Sequence, residues 1–200
     1  MTAAIERWLE RRGVSVRDVA EIVLSLQRPY NDRLTICDCE DSVRAVLAKR
    51  EVQYTLLTGI ALDELADRGL LPEPLQRIME EDESLYGVDE TLALGIVSVY
   101  GMIGLTSFGY LDKMKPGVIG RLNGADGAGG ENGDRSAGFI GDAVGGMDGP
   151  ERIVNDGDHR RGRGVHVFLD DLVSALAAAA SARIAHQNPD ARKYGLPGEA

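Results

Sequence analysis

The chain has 200 residues and a formal charge of −10, with 32 acidic against 22 basic side chains. That length supports one hydrophobic core of ordinary size, and the acid surplus argues against a general nucleic-acid binder. Arginine outnumbers lysine 18 to 4, which fits a protein adapted to high salt, although a GC-rich genome favours arginine too.

Helical patterning runs along nearly the whole first half. Residues 2–12 of "MTAAIERWLERRG" read as an amphipathic, charged helix ending at Gly13, not as a secretory leader, so a cytoplasmic location is expected. "SVRD" (Ser15–Asp18) resembles a capping box that opens a second helix, which runs to about Arg28 before Pro29. Thr35 can cap a third, in which Ile36, Cys39, Val43, Val46 and Leu47 recur at helical spacing. Cys37 and Cys39 are too close for an ordinary disulfide and read as small helix-packing residues. "EVQYTLLTGIALDELADRG" is a fourth helix closed by Gly69; Pro72 and Pro74 introduce a fifth, "EPLQRIMEED". A sixth opens near Asp89 and runs to about Met102. No window alternates convincingly as a strand, so the expected class is all-α.

Residues 91–111, "TLALGIVSVYGMIGLTSFGYL", carry no charge and are long enough to cross a bilayer. Four glycines, acids at both edges (Glu90 and Asp112) and the lack of a flanking Lys/Arg asymmetry favour a buried core helix running into a turn. Residues 124–164 then break the pattern. Ten glycines between Gly124 and Gly149, with few side chains that could pack, read as a flexible insertion within a single 1–200 domain that ends in a short tail, 188–200. "HRRGRG" (159–164) is its one basic cluster, either a solvated loop or a contact to phosphate or lipid headgroups.

The last helix differs from the others. Leu169, Leu172, Val173, Leu176, Ala180 and Ile184 form an apolar stripe, and the opposite side is Asp171, Ala175, Ala178 and Ala182. A helix that is small and apolar all round is usually buried, so other helices are expected to surround it. Its small residues permit close packing within one chain or across a homo-oligomer.

Four acidic groupings stand out: "EEDES" (Glu80–Ser84), "DE" (Asp89–Glu90), Asp112, and "DD" (Asp170–Asp171). Acids at helix N-termini also answer the helix dipole, so singly each is weak. In combination they matter more: Asp112 follows an uncharged run directly, and Asp171 lies on a helix that reads as buried. Carboxylates without hydration need a compensating cation, and hard oxygen ligands suit Mg2+ bridging to a phosphate. Two of the four lysines, Lys113 and Lys115, follow Asp112 and would supply compact positive charge for phosphate oxygens. His166 precedes "FLDD" closely enough to act as a general acid or to support one. Neither GxSxG, HExxH, a zinc-type cysteine array nor a P-loop occurs.

"KREVQYTLLTGIALDELA", "EPLQRIMEEDESLYGVDETLALGIVSVYGMIGLTSFGYLDKMKPGVIGRLN" and "HVFLDDLVSALAAAASARIAH" resemble the YutG-type branch of the phosphatidylglycerophosphatase A family. The resemblance covers most of residues 1–123 and 165–187. It implies a compact helical fold with one central helix and Mg2+-dependent hydrolysis of phosphate monoesters. Carried onto this chain, it makes Glu81, Asp82, Glu83, Asp89 and Asp170 candidate metal ligands. Asp112 and Asp171, with His166, become candidate catalytic groups, and Lys113 and Lys115 candidate phosphate ligands. Membrane-embedded members carry several hydrophobic spans, and typical YutG-like members lack the glycine-rich insertion. The expected substrate is therefore a small soluble phosphate ester, α-ribazole 5′-phosphate of cobamide assembly, as in the related archaeal CobZ type. Phosphatidylglycerophosphate, with peripheral contact to a membrane, is the alternative, and a non-catalytic helical scaffold the third reading.

Overall fold

A computed structural model describes residues 1–123 and 164–187. The expected glycine-rich insertion and the 188–200 tail fall outside these residues, apart from Gly164. Nine α-helices occur among the described residues, and no strand. They are α1 (Thr2–Arg11), α2 (Val16–Gln27), α3 (Ile36–Leu47), α4 (Arg50–Asp67), α5 (Leu75–Glu81), α6 (Val88–Val97), α7 (Gly101–Met114), α8 (Val118–Leu122) and α9 (Leu169–Gln187).

Local signals set several boundaries. Ser15 and Asp18 form a reciprocal capping box on α2, and Thr35 and Asp38 form another on α3, so in each an exposed backbone N–H is satisfied at either end of the pair. Gly69, at φ +63°, follows α4 in a conformation that costs a glycine little. Cys39 is buried in the α3 interface as expected, whereas Cys37 points to solvent.

The uncharged 91–111 run departs from expectation. It is not one helix ending near Met102. A 3₁₀ turn at Ser98–Tyr100 and Gly101 at φ +64° separate α6 from α7, which continues to Met114. Nor is it wholly buried: Leu94, Val99, Met102, Ile103 and Tyr110 face outward. Val88–Met114 is long and apolar enough to cross a membrane by length and composition, yet a third of its most apolar window is buried inside the protein.

The architecture is organised around α9. Every residue from Leu169 to Ala182 is buried, and α9 packs against α2, α3, α4, α6, α7 and α8. Alanine at successive positions lets these neighbours approach closely, which is what the sequence pattern demanded. Its few polar groups are satisfied locally: Gln27 Nε2 donates to Ser181 Oγ (2.7 Å), and Ser42 Oγ donates to the Ala180 carbonyl (2.9 Å). The small residues of α9 are thus consumed within one chain, so they are not a surface for a second one.

Candidate active site

The N-terminus of α9 is where the acids converge. Asp170 and Asp171 occupy its first turn and are both buried. Antiparallel to it, α7 carries Asp112 in its last turn, and the chain then turns at Lys115, whose backbone is left-handed (φ 44°). A side chain with a Cβ pays about 1 kcal/mol or more for that conformation. Here it aims an ammonium back into the carboxylates: Lys115 Nζ donates to Asp112 Oδ1 (2.8 Å) and Asp170 Oδ2 (3.0 Å), and lies 4.0 Å from Asp171 Oδ1. Asn123, just after α8, donates through Nδ2 to the same Asp170 oxygen (3.0 Å). The Asp171 N–H donates to Asp170 Oδ1 (3.0 Å).

Asp170 accepts three hydrogen bonds and so ties Lys115, Asn123 and the first turn of α9 together. Asp171 is different. With Asp89 and Glu90, from the first turn of α6, it offers oxygens that all lie within 4.8 Å of one another. Burial first, then the charges of Asp170 and Asp112, hold its pKa well above the usual carboxylate range. Burial and the adjacent Glu90 push Asp89 up to about 6. Burial opposes the Lys115 charge, but Asp170 and Asp112 outweigh it and raise its pKa further. One lysine among five carboxylates leaves a surplus of negative charge around the buried Asp171, with Asp89 half-buried and Glu90 exposed. That surplus is what a divalent cation with oxygen ligands neutralises. The residues present thus fit such an ion.

The chain entering α9 is clamped from two sides. Asp63, on α4 and without solvent exposure, accepts the N–H groups of Phe168 (3.1 Å) and Leu169 (3.0 Å). Arg12, just past α1, donates to Asp67 and to the Val165 carbonyl, and its guanidinium lies 3.0 Å from His166 Nδ1. The Val165 N–H in turn donates to Asp67. Burial, and then the Arg12 charge, lower the His166 pKa, so near neutral pH the ring is a neutral partner of Arg12.

Of the residues singled out in the sequence, the structure brings together Asp89, Asp112, Lys115, Asp170 and Asp171. Lys113 is exposed in the last turn of α7 and forms no ion pair with another described residue. Glu81, Asp82 and Glu83 are exposed at the end of α5, outside the three-carboxylate group. Sequence reasoning gave Glu90 no ligand role and missed Asn123, Asp63, Asp67 and Arg12. Asp63 had a readable signal. It sits on the stripe Val52, Leu56, Ile60, Asp63, an acid on the buried side of α4.

The profile of the phosphatidylglycerophosphatase A family matches residues 13–132. The chain belongs to that family. Within it, the protein YutG of Bacillus subtilis (strain 168), which is named as uncharacterized, is 46% identical over 187 residues, 94% of this chain and 92% of YutG. YpjQ of the same strain, also named as uncharacterized, is 45% identical across 91% of this chain and 82% of its own. Solved structures share the fold. A Bacillus stearothermophilus protein of unknown function superposes with a TM-score of 0.74 at 44% identity, covering 94% of this chain and 95% of its own. The low temperature requirement C protein of Listeria monocytogenes does so at 0.72 and 42%, covering 93% and 95%. The phosphatidylglycerophosphatase A family is a phosphatase family; Asp89, Glu90 and Asp112 lie within the matched residues, and Asp170 and Asp171 lie beyond them.

Proposed function

We propose that the protein is a divalent-metal-dependent phosphomonoester hydrolase, with Mg2+ as its ion. The observation that carries this reading is the gathering of Asp89, Glu90 and Asp171 oxygens within 4.8 Å of one another, in a site whose negative charge Lys115 alone does not balance. A cation bound there supplies Lewis-acid charge to phosphate oxygens and lowers the pKa of water. Asp89, Glu90 and Asp171 are the residues that would hold it.

The chain's own groups do the rest. Asp170 and Asn123 fix Lys115, whose ammonium faces the carboxylate cluster and attracts phosphoryl oxygens electrostatically. Asp112 and Asp171 both approach the Lys115 ammonium, at 2.8 Å and 4.0 Å, and the Asp112 charge helps to raise the Asp171 pKa. That pair is suited to take a proton from the attacking water and return it to the leaving alkoxide. Lys113, exposed on the last turn of α7, is a second phosphate ligand in this reading. His166, held 3.0 Å from the Arg12 guanidinium at the entry to α9, is the further candidate acid of this reading.

The preferred substrate is a small soluble phosphate ester, with α-ribazole 5′-phosphate first. The description of the matched family favours phosphatidylglycerophosphate as the second reading. Phosphate release from each ester, measured side by side with Mg2+ or with EDTA, separates them. Turnover of one ester that needs Mg2+ and disappears in Asp171→Asn is the expected result. No turnover of either, under conditions where related phosphatases act, would overturn the reading.

A further inference from the structure

Twelve large apolar side chains stand exposed among the described residues, and eight of them fall between Leu85 and Met114. Leu94, Val99, Met102, Ile103, Tyr110 and Met114 lie along α6, the 3₁₀ turn and α7, at 40% to 71% exposure. Leu85 and Val88 precede these six in the chain and are exposed as well. A concentration of exposed apolar side chains on one helix pair is what an interaction surface presents.

The composition of the face argues for one occupant. Between Glu90 and Asp112 there is no charged residue, so a copy of the same surface laid against it buries no unpaired charge. An interfacial lipid-binding helix carries Lys and Arg along its polar edge. This face is edged by Asp89, Glu90 and Asp112 with the single exposed lysine Lys113, and Lys115 is already paired with Asp112, on a chain of net charge −10. An anionic bilayer surface repels that arrangement. Small residues also permit a close approach: at Gly109, on the exposed side of α7, no atom lies within 4 Å of the place a Cβ would take. Beside it, Ile103, Thr106 and Tyr110 form one wall of a groove of about 740 Å³, with Leu26, Pro29 and Tyr30 on the other. A ridge and a groove side by side on one surface are what a two-fold contact needs, because each copy offers its ridge to the other's groove.

We infer that the α6–α7 face is the interface of a two-fold homodimer in solution, with Met102 and its neighbours seated in the groove of the second copy. The inference is independent of the phosphatase reading, since none of these side chains belongs to the carboxylate cluster.

Sedimentation or light scattering on the full chain, in dilute and in molar salt, tests it. The wild type is expected at twice the monomer mass in both, because an apolar contact survives screening. Met102→Glu and Gly109→Arg are expected at monomer mass with unchanged circular dichroism, and with dimer dissociation constants raised at least 100-fold. Arginine suits an exposed helical site better than glycine, so the second variant has no reason to unfold. Amide exchange of the wild type at low and high protein concentration needs no substitution, and protection of α7 that grows with concentration is the expected sign. A monomeric wild type at tens of micromolar, or variants as dimeric as the wild type, would overturn the inference. So would a monomer that binds phosphatidylcholine–phosphatidylglycerol vesicles through Met102, which would make the face a membrane contact.

Discussion

Asp63 shows how one residue can be invisible by type and decisive by place. It is an acid with no solvent exposure, its carboxylate committed to two backbone N–H groups at the start of α9, and burial pushes its pKa up to about 7 despite those bonds. The folded value exceeds the unfolded value of about 3.9, so the native state holds the proton more tightly, and stability falls as pH rises from about 4 to about 7. The shift corresponds to about 4 kcal/mol across that window. Asp63→Asn does not titrate, but it points an amide at one of the two donors, a loss of about 1–3 kcal/mol. Its deficit relative to wild type should therefore be largest near pH 4.5 and shrink towards pH 7.5 in urea titrations. A deficit that ignores pH would mean that Asp63 ionises normally.

Asp171 makes the opposite prediction. Its charge is opposed first by burial and then by Asp170 and Asp112, so without a divalent ion Asp171→Asn should melt at or above the wild-type temperature. Added Mg2+ should raise the melting temperature of the wild type and not of the variant, and hydrolysis should fall by about 100-fold or more. Comparable Mg2+ stabilisation of both proteins would remove Asp171 from the metal site. Lys115→Met leaves Asp112 and Asp170 without their cation and should cost about 3 kcal/mol in denaturant unfolding. A loss of a few tenths would mean that the carboxylates are better solvated than their burial implies.

At the scale of elements, helix starts and stops were legible where a local rule sets them. Ser15 with Asp18 and Thr35 with Asp38 are such cases, because a capping box involves only residues three apart. The break at Gly101 was not legible. A glycine inside an apolar run is compatible with continuing or ending a helix, and the packing of α6 and α7 on α9 decides between them. Gly59 marks the closest approach of α4 to α9: a Cβ there would lie 2.5 Å from Leu172 Cδ1 and 3.0 Å from Phe168 Cβ. Gly59→Ala should destabilise the fold by about 1–3 kcal/mol although alanine is the better helix former. A more stable variant would mean that α4 shifts outward freely.

At the scale of the whole molecule, the sequence by itself determined the class and the centre. The alternation of 3.6-residue periods fixes an all-α chain, and a helix apolar on every side has no low-energy place except among other helices. It also marked the acids, since Asp112 and Asp171 stand against apolar runs where hydration is scarce. Which acids meet was decided by tertiary structure alone. The N-termini of α6 and α9 and the C-terminus of α7 come to one point, bringing Asp89, Glu90 and Asp171 together and leaving Glu81, Asp82 and Glu83 on the surface. The same packing turned an uncharged run that reads as buried core into a helix pair with one face on α9 and one face in solvent. The physical reason is range. A cap or a period is written within one or two turns of chain, but burial and charge balance depend on neighbours more than 100 residues away, as Phe168 is 105 residues from Asp63 and His166 is 154 from Arg12.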